Sequence, residues 1–330
     1  MDRFRIYIFR YPIGFSVIIL IISTVFTEIR LEPYFTSFMD MQSAAYVTMT
    51  IEQGLFSILL VALIRGLGLM KCAGFTKPKE WKQLWLLWPI LVLTILNGTP
   101  LFDGTLIIDT SKHGLIILYI LLNLSVGFWE EILCRGTTLT VMLQKWGHTK
   151  KGIYLSVIAS SLLFGLLHIT NFIAGRSTFL TTAVQITYST FFGVFFSACL
   201  LRNNSIWPAI ITHAIFDTFG NLNEIALGGN FGEVHQTTFE SAITTIAVTL
   251  LLFVYSLFIF RKVKPVNKGI EEKIYTLSLV KCRENWKLIQ DEFLAEHLFA
   301  DNGERRWTVE KKSHPVSEWS SSLKSLLYYD

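Results

Sequence analysis

Apolar runs punctuated by short polar breaks dominate the first 260 residues, and their lengths predict helices rather than strands. Crossing ~30 Å of hydrocarbon at about 1.5 Å per residue takes about 20 residues. The pattern predicts about eight such spans, near 8–27, 43–64, 84–102, 114–146, 152–173, 178–201, 205–226 and 239–260. The fourth is long because Thr137 to Trp146 stays mostly apolar after Gly136, so its helix continues or kinks there rather than ending. Strand-like alternation is lacking, and the expected fold is an all-α, polytopic membrane helix bundle.

Beyond Arg261 the pattern stops. The last 70 residues hold 13 of the 29 Lys and Arg and 11 of the 25 Asp and Glu, which predicts a polar cytoplasmic tail over 261–330. Within it, 285–299 has helical amphipathic spacing through Trp286, Leu288, Phe293, Leu294 and Leu298. That segment is expected to dock on a cytoplasmic partner, on the bundle or on the lipid surface, or else to be one short helix in a loose tail. The organisation is therefore a transmembrane domain over 1–260 followed by the tail.

Composition agrees with a bilayer as solvent. The 330 residues are 52% hydrophobic and 16% charged, with a mean hydropathy of +0.47, too apolar for an ordinary soluble domain. The four cysteines lack regular spacing, which predicts neither a disulfide framework nor a thiolate zinc site. Phe15 to Phe26 lacks a small-residue cleavage site and reads as an uncleaved first helix.

The net charge of +4 says less than the placement of charges. Arg3, Arg5 and Arg10 precede the first span. Lys71, Lys77, Lys79 and Lys82 lie two crossings on, then Lys145, Lys150 and Lys151, then Arg202, then Arg261, Lys262 and Lys264. The loops between carry Glu28, Glu32 and Asp40, then Asp103 and Asp109, then Arg176, then Glu224 and Glu233. Basic loops stay cytoplasmic, so both termini are expected there, and the short loops read as a bacterial plasma-membrane protein rather than one of the endoplasmic reticulum. Nothing in the pattern calls for nucleic acid. Internal repeats and interrupted helices of a transporter are not evident.

Ionisable groups inside such spans cost at least ~2.5 kcal/mol each at a helix centre, so each is a functional candidate. Glu130, Glu131 and Arg135 lie in the fourth span, His168 in the fifth, and His213 and Asp217 in the seventh. Counted inward from the basic loops, Glu130 is 16 residues deep from Trp146, His168 is 16 from Gly152 and His213 is 11 from Arg202. If the long-helix reading holds, all three clusters reach similar depths. Glu131 and Arg135, Phe164 and His168, and His213 and Asp217 are each i, i+4 pairs and share a helix face. Glu130 is rotated ~100° from Glu131. Arg135 then neutralises one carboxylate while the other stays available for chemistry; spacing alone permits the two glutamates to exchange these roles.

Two carboxylates and two imidazoles in a dry cavity suit the activation of water. His168 and His213 with Glu130 and Asp217 are also a feasible zinc set, drawn from separate helices because there is no HExxH. Simpler readings remain for individual residues. Glu131 and Arg135 make sense as a structural ion pair and Phe164 as packing. Glu52 is a cavity or helix contact beside Gln53, Asn171 and Asn221 are caps or interhelical bonds, and Cys134 is inert packing.

EExxxR at Glu130, Glu131 and Arg135, FxxxH at Phe164 and His168, and HxxxN/D at His213 and Asp217 resemble, in order, the three motifs of the CPBP family of intramembrane proteases. That family includes CAAX prenyl endopeptidases and bacteriocin-processing or bacteriocin-immunity proteins. The resemblance covers about 114–226. It implies an eight-helix bundle that hydrolyses peptide bonds of prenylated or hydrophobic peptides, with Glu130 activating water beside His168. His213 and the residue at 217 would serve either as metal ligands or as the oxyanion-stabilising pair. Asp217 stands where many members have Asn, and an ionised carboxylate only accepts hydrogen bonds, which favours the metal-assisted scheme with zinc over a metal-free glutamate mechanism. The competing class is a catalytically inactive membrane protein that binds peptides as a scaffold or immunity factor.

Overall fold

The computed structural model describes residues 2–265 apart from 80, 230, 233 and 235. The predicted amphipathic helix over 285–299 and the rest of the tail lie outside the described residues. The described part is helical, with a single isolated bridge between Ile108 and Ala226 as its only extended pairing.

The first predicted span is corrected. Helix α1, Asp2–Arg10, ends before Tyr11, and Pro12, which presets φ and has no N–H to donate, opens α2, Pro12–Phe26, at a bend of 105°. In α1, Phe4, Ile6 and Tyr7 are exposed while Ile8 is buried, the pattern of a helix lying along a surface. Helix α3, Met41–Gly66, starts where the Asp40 carboxylate accepts from the Ser43 amide at 3.0 Å. That bond and a second from the Ser43 hydroxyl hold the Asp40 carboxyl below the usual carboxylate range. Helix α4, Trp88–Asn97, is shorter than its predicted span because a 3₁₀ stretch, Trp81–Leu87, precedes it and Gly98 follows.

The long fourth span is as predicted: α5 runs unbroken over His113–Trp146. Over Ile132–Leu139 it widens to π geometry, in which the Thr137 and Thr140 hydroxyls donate to the carbonyls of Ile132 and Arg135. Helix α6, Lys150–Ile173, breaks at His168; α7 is Phe179–Asn203, α8 Trp207–Gly220 and α9 Phe239–Phe260. Thr149, Thr178 and Thr238 cap α6, α7 and α9, and Asn204, at φ 55, ends α7 in the left-handed region. By length and composition α3, α5, α6, α7 and α9 are able to cross a membrane, and the bent pair α1 and α2 makes a sixth if taken as one span. Helices α4 and α8 fall short of that length.

The connections gather in two sets. At one end Arg5 donates to the Gly66 carbonyl and Lys145 to that of Arg10. There too the Lys79 amide bonds the Asn203 carbonyl and Arg202 that of Lys262. At the other end Arg176 pairs with Glu28 at 2.6 Å, Tyr46 and Gln42 bond Glu224, the Asp109 amide bonds the Ile225 carbonyl and the Thr237 amide bonds Thr181. The basic loops thus meet one another and the acidic loops meet one another. Arg176, a basic residue placed with the acidic loops, is neutralised by a carboxylate of that set.

Between the ends, α7 packs on both α6 and α9, α5 packs on α8 and α3, and α8 packs on α4. Small residues allow the closest approaches. A Cβ on Gly127 of α5 would lie 2.9 Å from the backbone of Ile210 and Ala214 in α8, so these two backbones touch. Outward faces are apolar, as at Ile21, Leu59, Ile120 and Leu251, the arrangement expected where the surrounding medium is hydrocarbon.

Candidate functional site

The backbone contact at Gly127 decides what meets what. One turn on, it brings Glu130 and Glu131 of α5 against His213 of α8. The Glu131 Oε1 accepts from His213 Nδ1 at 2.8 Å and lies 3.0 Å from the Arg135 guanidinium. Glu131 is fully buried and Arg135 2% exposed, so this is a buried ion pair with an imidazole attached. A carboxylate only accepts, so an ionised Glu131 puts the proton on Nδ1 and turns Nε2 towards the other groups. Nε2 lies 3.5 Å from Glu130 Oε2 and 3.5 Å from Asp217 Oδ2, just beyond direct hydrogen bonding.

Aromatic rings hold both the guanidinium and the imidazole. The Arg135 guanidinium sits over Phe164 at 4.5 Å and Phe196 at 5.5 Å, and Phe196 also stacks on His213 at 5.4 Å. Phe164 meets His168 edge-on at 5.5 Å. His168 Nε2 is buried without a hydrogen-bond partner. The π stretch begins at Ile132, directly after the two glutamates, and carries Arg135 and Cys134; both are buried in it.

These groups border a cavity of about 600 Å³ to which α4 to α9 all contribute, through Leu93, Glu130, His168, Tyr188, Asp217 and Thr245 for example. Glu130, His168, His213 and Asp217 line it and Glu131 and Arg135 do not. The two glutamates therefore differ in position: one borders the cavity and the other is enclosed with the arginine. Among the described residues no group of three His, Cys, Asp or Glu side chains is arranged around a common metal position. His213 Nε2, Glu130 Oε2 and Asp217 Oδ2 are the donors that stand together, with His168 on the same cavity, and the chemistry below is derived from the side chains themselves.

A family model described as Type II CAAX prenyl endopeptidase Rce1-like matches residues 112–219. The family resemblance holds over that stretch. The Rce1-like stretch contains all six residues of the site, from Glu130 to Asp217, and leaves α1 to α4 and α9 outside the match. Several apolar helices together with a membrane-protease family mark the chain as a membrane protein. No curated protein and no solved structure matches the chain.

Three expectations about neighbours are refined. Glu52 is buried with an unpartnered Oε1 but does not line the cavity, and it is Gln53 that bonds across to Ser125 of α5. Asn171 makes an interhelical bond, donating to Gln185 Oε1 at 3.0 Å. Asn221 follows α8 and lines the cavity. Sequence reasoning predicted α7 as the span over 178–201 but singled out no residue in it. Gln185, Tyr188 and Ser189 lie at i, i+3, i+4 in that apolar span and line the cavity, so polar spacing on one face was the available signal.

Proposed function

We propose that the chain is an intramembrane endopeptidase that hydrolyses a peptide bond of a lipidated or hydrophobic peptide by glutamate-activated water. The observation that carries this reading is the separation of the glutamates: Glu130 opens to the cavity 3.5 Å from His213 Nε2, while Glu131 holds the far side of the same imidazole. A water on the cavity side, bonded to both Glu130 and His213, loses a proton to the carboxylate as its oxygen adds to the scissile carbonyl. Arg135, by neutralising Glu131, and Glu131, by fixing the ring, are positioning residues. The eight stretches between the two sets of loops are taken as eight crossings, with the basic end cytoplasmic. The name of the matched family supports a prenylated peptide as the first substrate to try.

The test is a cleavage assay on the purified full-length protein with prenylated and unprenylated versions of one peptide, with and without a chelator. Cleavage that Glu130→Gln abolishes while peptide binding persists is expected. Binding without cleavage in the native protein would end the enzyme reading and leave the scaffold. Chelator-sensitive cleavage would bring back the metal-assisted scheme.

A further inference from the structure

Hydrolysis puts a negative charge on the carbonyl oxygen, and the third motif is poorly furnished to receive it. An ionised Asp217 accepts hydrogen bonds and donates none, and His213 has Nδ1 committed to Glu131 at 2.8 Å. The other wall of the cavity is better equipped. Helix α7 turns Gln185, Tyr188 and Ser189 to the cavity on one face. Tyr188 lines the same cavity as Glu130 and Asp217, so its phenol belongs to the wall that faces the carboxylates.

Gln185 lines the cavity on the same face, three residues before Tyr188. Its Oε1 is taken by Asn171 Nδ2 at 3.0 Å, and because the amide is planar, its nitrogen is turned the other way. From i−3 on the same helix face that nitrogen is placed to donate to the Tyr188 phenol oxygen, a bond that would make the phenol O–H the more polarised donor. Backbone packing then fixes α7. A Cβ on Gly165 would collide with Thr190 Oγ1, and one on Gly193 would fall 2.7 Å from Ser161 Cβ, so α6 and α7 are locked together just beyond Tyr188.

We propose that Tyr188 is a catalytic hydrogen-bond donor to the tetrahedral oxyanion and that Asn171 and Gln185 are its positioning residues, an inference that rests on the endopeptidase reading. As the water oxygen bonds to the carbonyl carbon, the C=O electron pair moves onto oxygen and the water proton passes to Glu130. The Tyr188 O–H donates to that oxygen and keeps its own proton. On collapse the C=O bond re-forms, the C–N bond breaks and Glu130 returns the proton to the departing nitrogen.

The experiment compares native protein, Glu130→Gln, Tyr188→Phe, Gln185→Leu and the double variant of Tyr188 and Gln185, all full-length, on the peptide that the native protein cleaves. Tyr188→Phe keeps the ring and is expected to lower kcat on the order of 10²-fold with KM within about twofold. Gln185→Leu is expected to lower kcat by less, on the order of tenfold, and to cost little more in the Tyr188→Phe background, because it acts through the phenol. A Tyr188→Phe variant with kcat near the native value overturns the proposal and points to His168 as the donor. Equal cost of Gln185→Leu in both backgrounds overturns the positioning role. If the native protein cleaves no better than Glu130→Gln, the endopeptidase reading itself fails and takes this inference with it.

Discussion

Helices α7 and α9 pack side by side and are both long and apolar, yet 61% of the most apolar window of α7 is buried inside the protein against 28% of that of α9. Helix α7 is enclosed between α6 and α9 and directs Gln185, Tyr188 and Ser189 into the cavity. Helix α9 gives the cavity a face of Thr244, Thr245 and Thr249 and turns Leu250, Leu251 and Val254 outward. In hydrocarbon the apolar residues of a span gain nothing by facing inward, so what distinguishes an interior helix is its small and polar residues. The interior set α5 to α8 is where substitution should matter, and the periphery is where it should not.

Glu130→Gln should make the sharpest difference, lowering kcat on the order of 10³-fold with the fold intact, as measured by cleavage rate beside thermal unfolding. Next comes Arg135→Met, which leaves Glu131 charged and buried with the His213 imidazole as its remaining partner; a loss of about 3–5 kcal/mol in unfolding free energy is expected. Gly193→Leu should destabilise by about 1–3 kcal/mol, because its side chain enters the contact with Ser161. If Gly193→Leu proved as harmless as an outward change on α9, the distinction between interior and periphery would be lost.

Asp40→Ala removes the cap of α3 and should cost about 1 kcal/mol at neutral pH. The folded-state Asp40 carboxyl is held below its usual range, so its contribution is present above the ordinary carboxylate pKa and is lost as the pH falls through the folded value. The gap between native and Asp40→Ala unfolding curves should therefore close below about pH 4. Smallest of all, Leu251→Ala on the outward face of α9 should stay within about 0.5 kcal/mol of the native protein.

Much of this was readable in the chain. The break at Pro12 was not, because an apolar run looks continuous whether or not the backbone turns, and the predicted span over 8–27 became two helices at 105°. The unbroken α5 was readable, since apolar spacing continued past Gly136, but its π stretch leaves the composition unchanged and shows only in the backbone, where the Thr137 and Thr140 hydroxyls bond carbonyls five residues back. Spacing put Glu131 with Arg135, and the structure agrees at 3.0 Å. Spacing did not say that His213 would join them, since helices of different sequence position are oriented by packing alone.

The sequence by itself determined which groups had to be enclosed: six polar side chains in three apolar spans, each too costly to leave facing lipid. It also determined the alternation of basic and acidic loops that meet at opposite ends. Tertiary structure alone decided which carboxylate opens to the cavity and which is enclosed, and that α7 supplies the facing wall. Those outcomes depend on the distance and rotation between helices, fixed by contacts such as Gly127 against Ala214, and helical periodicity describes one helix at a time.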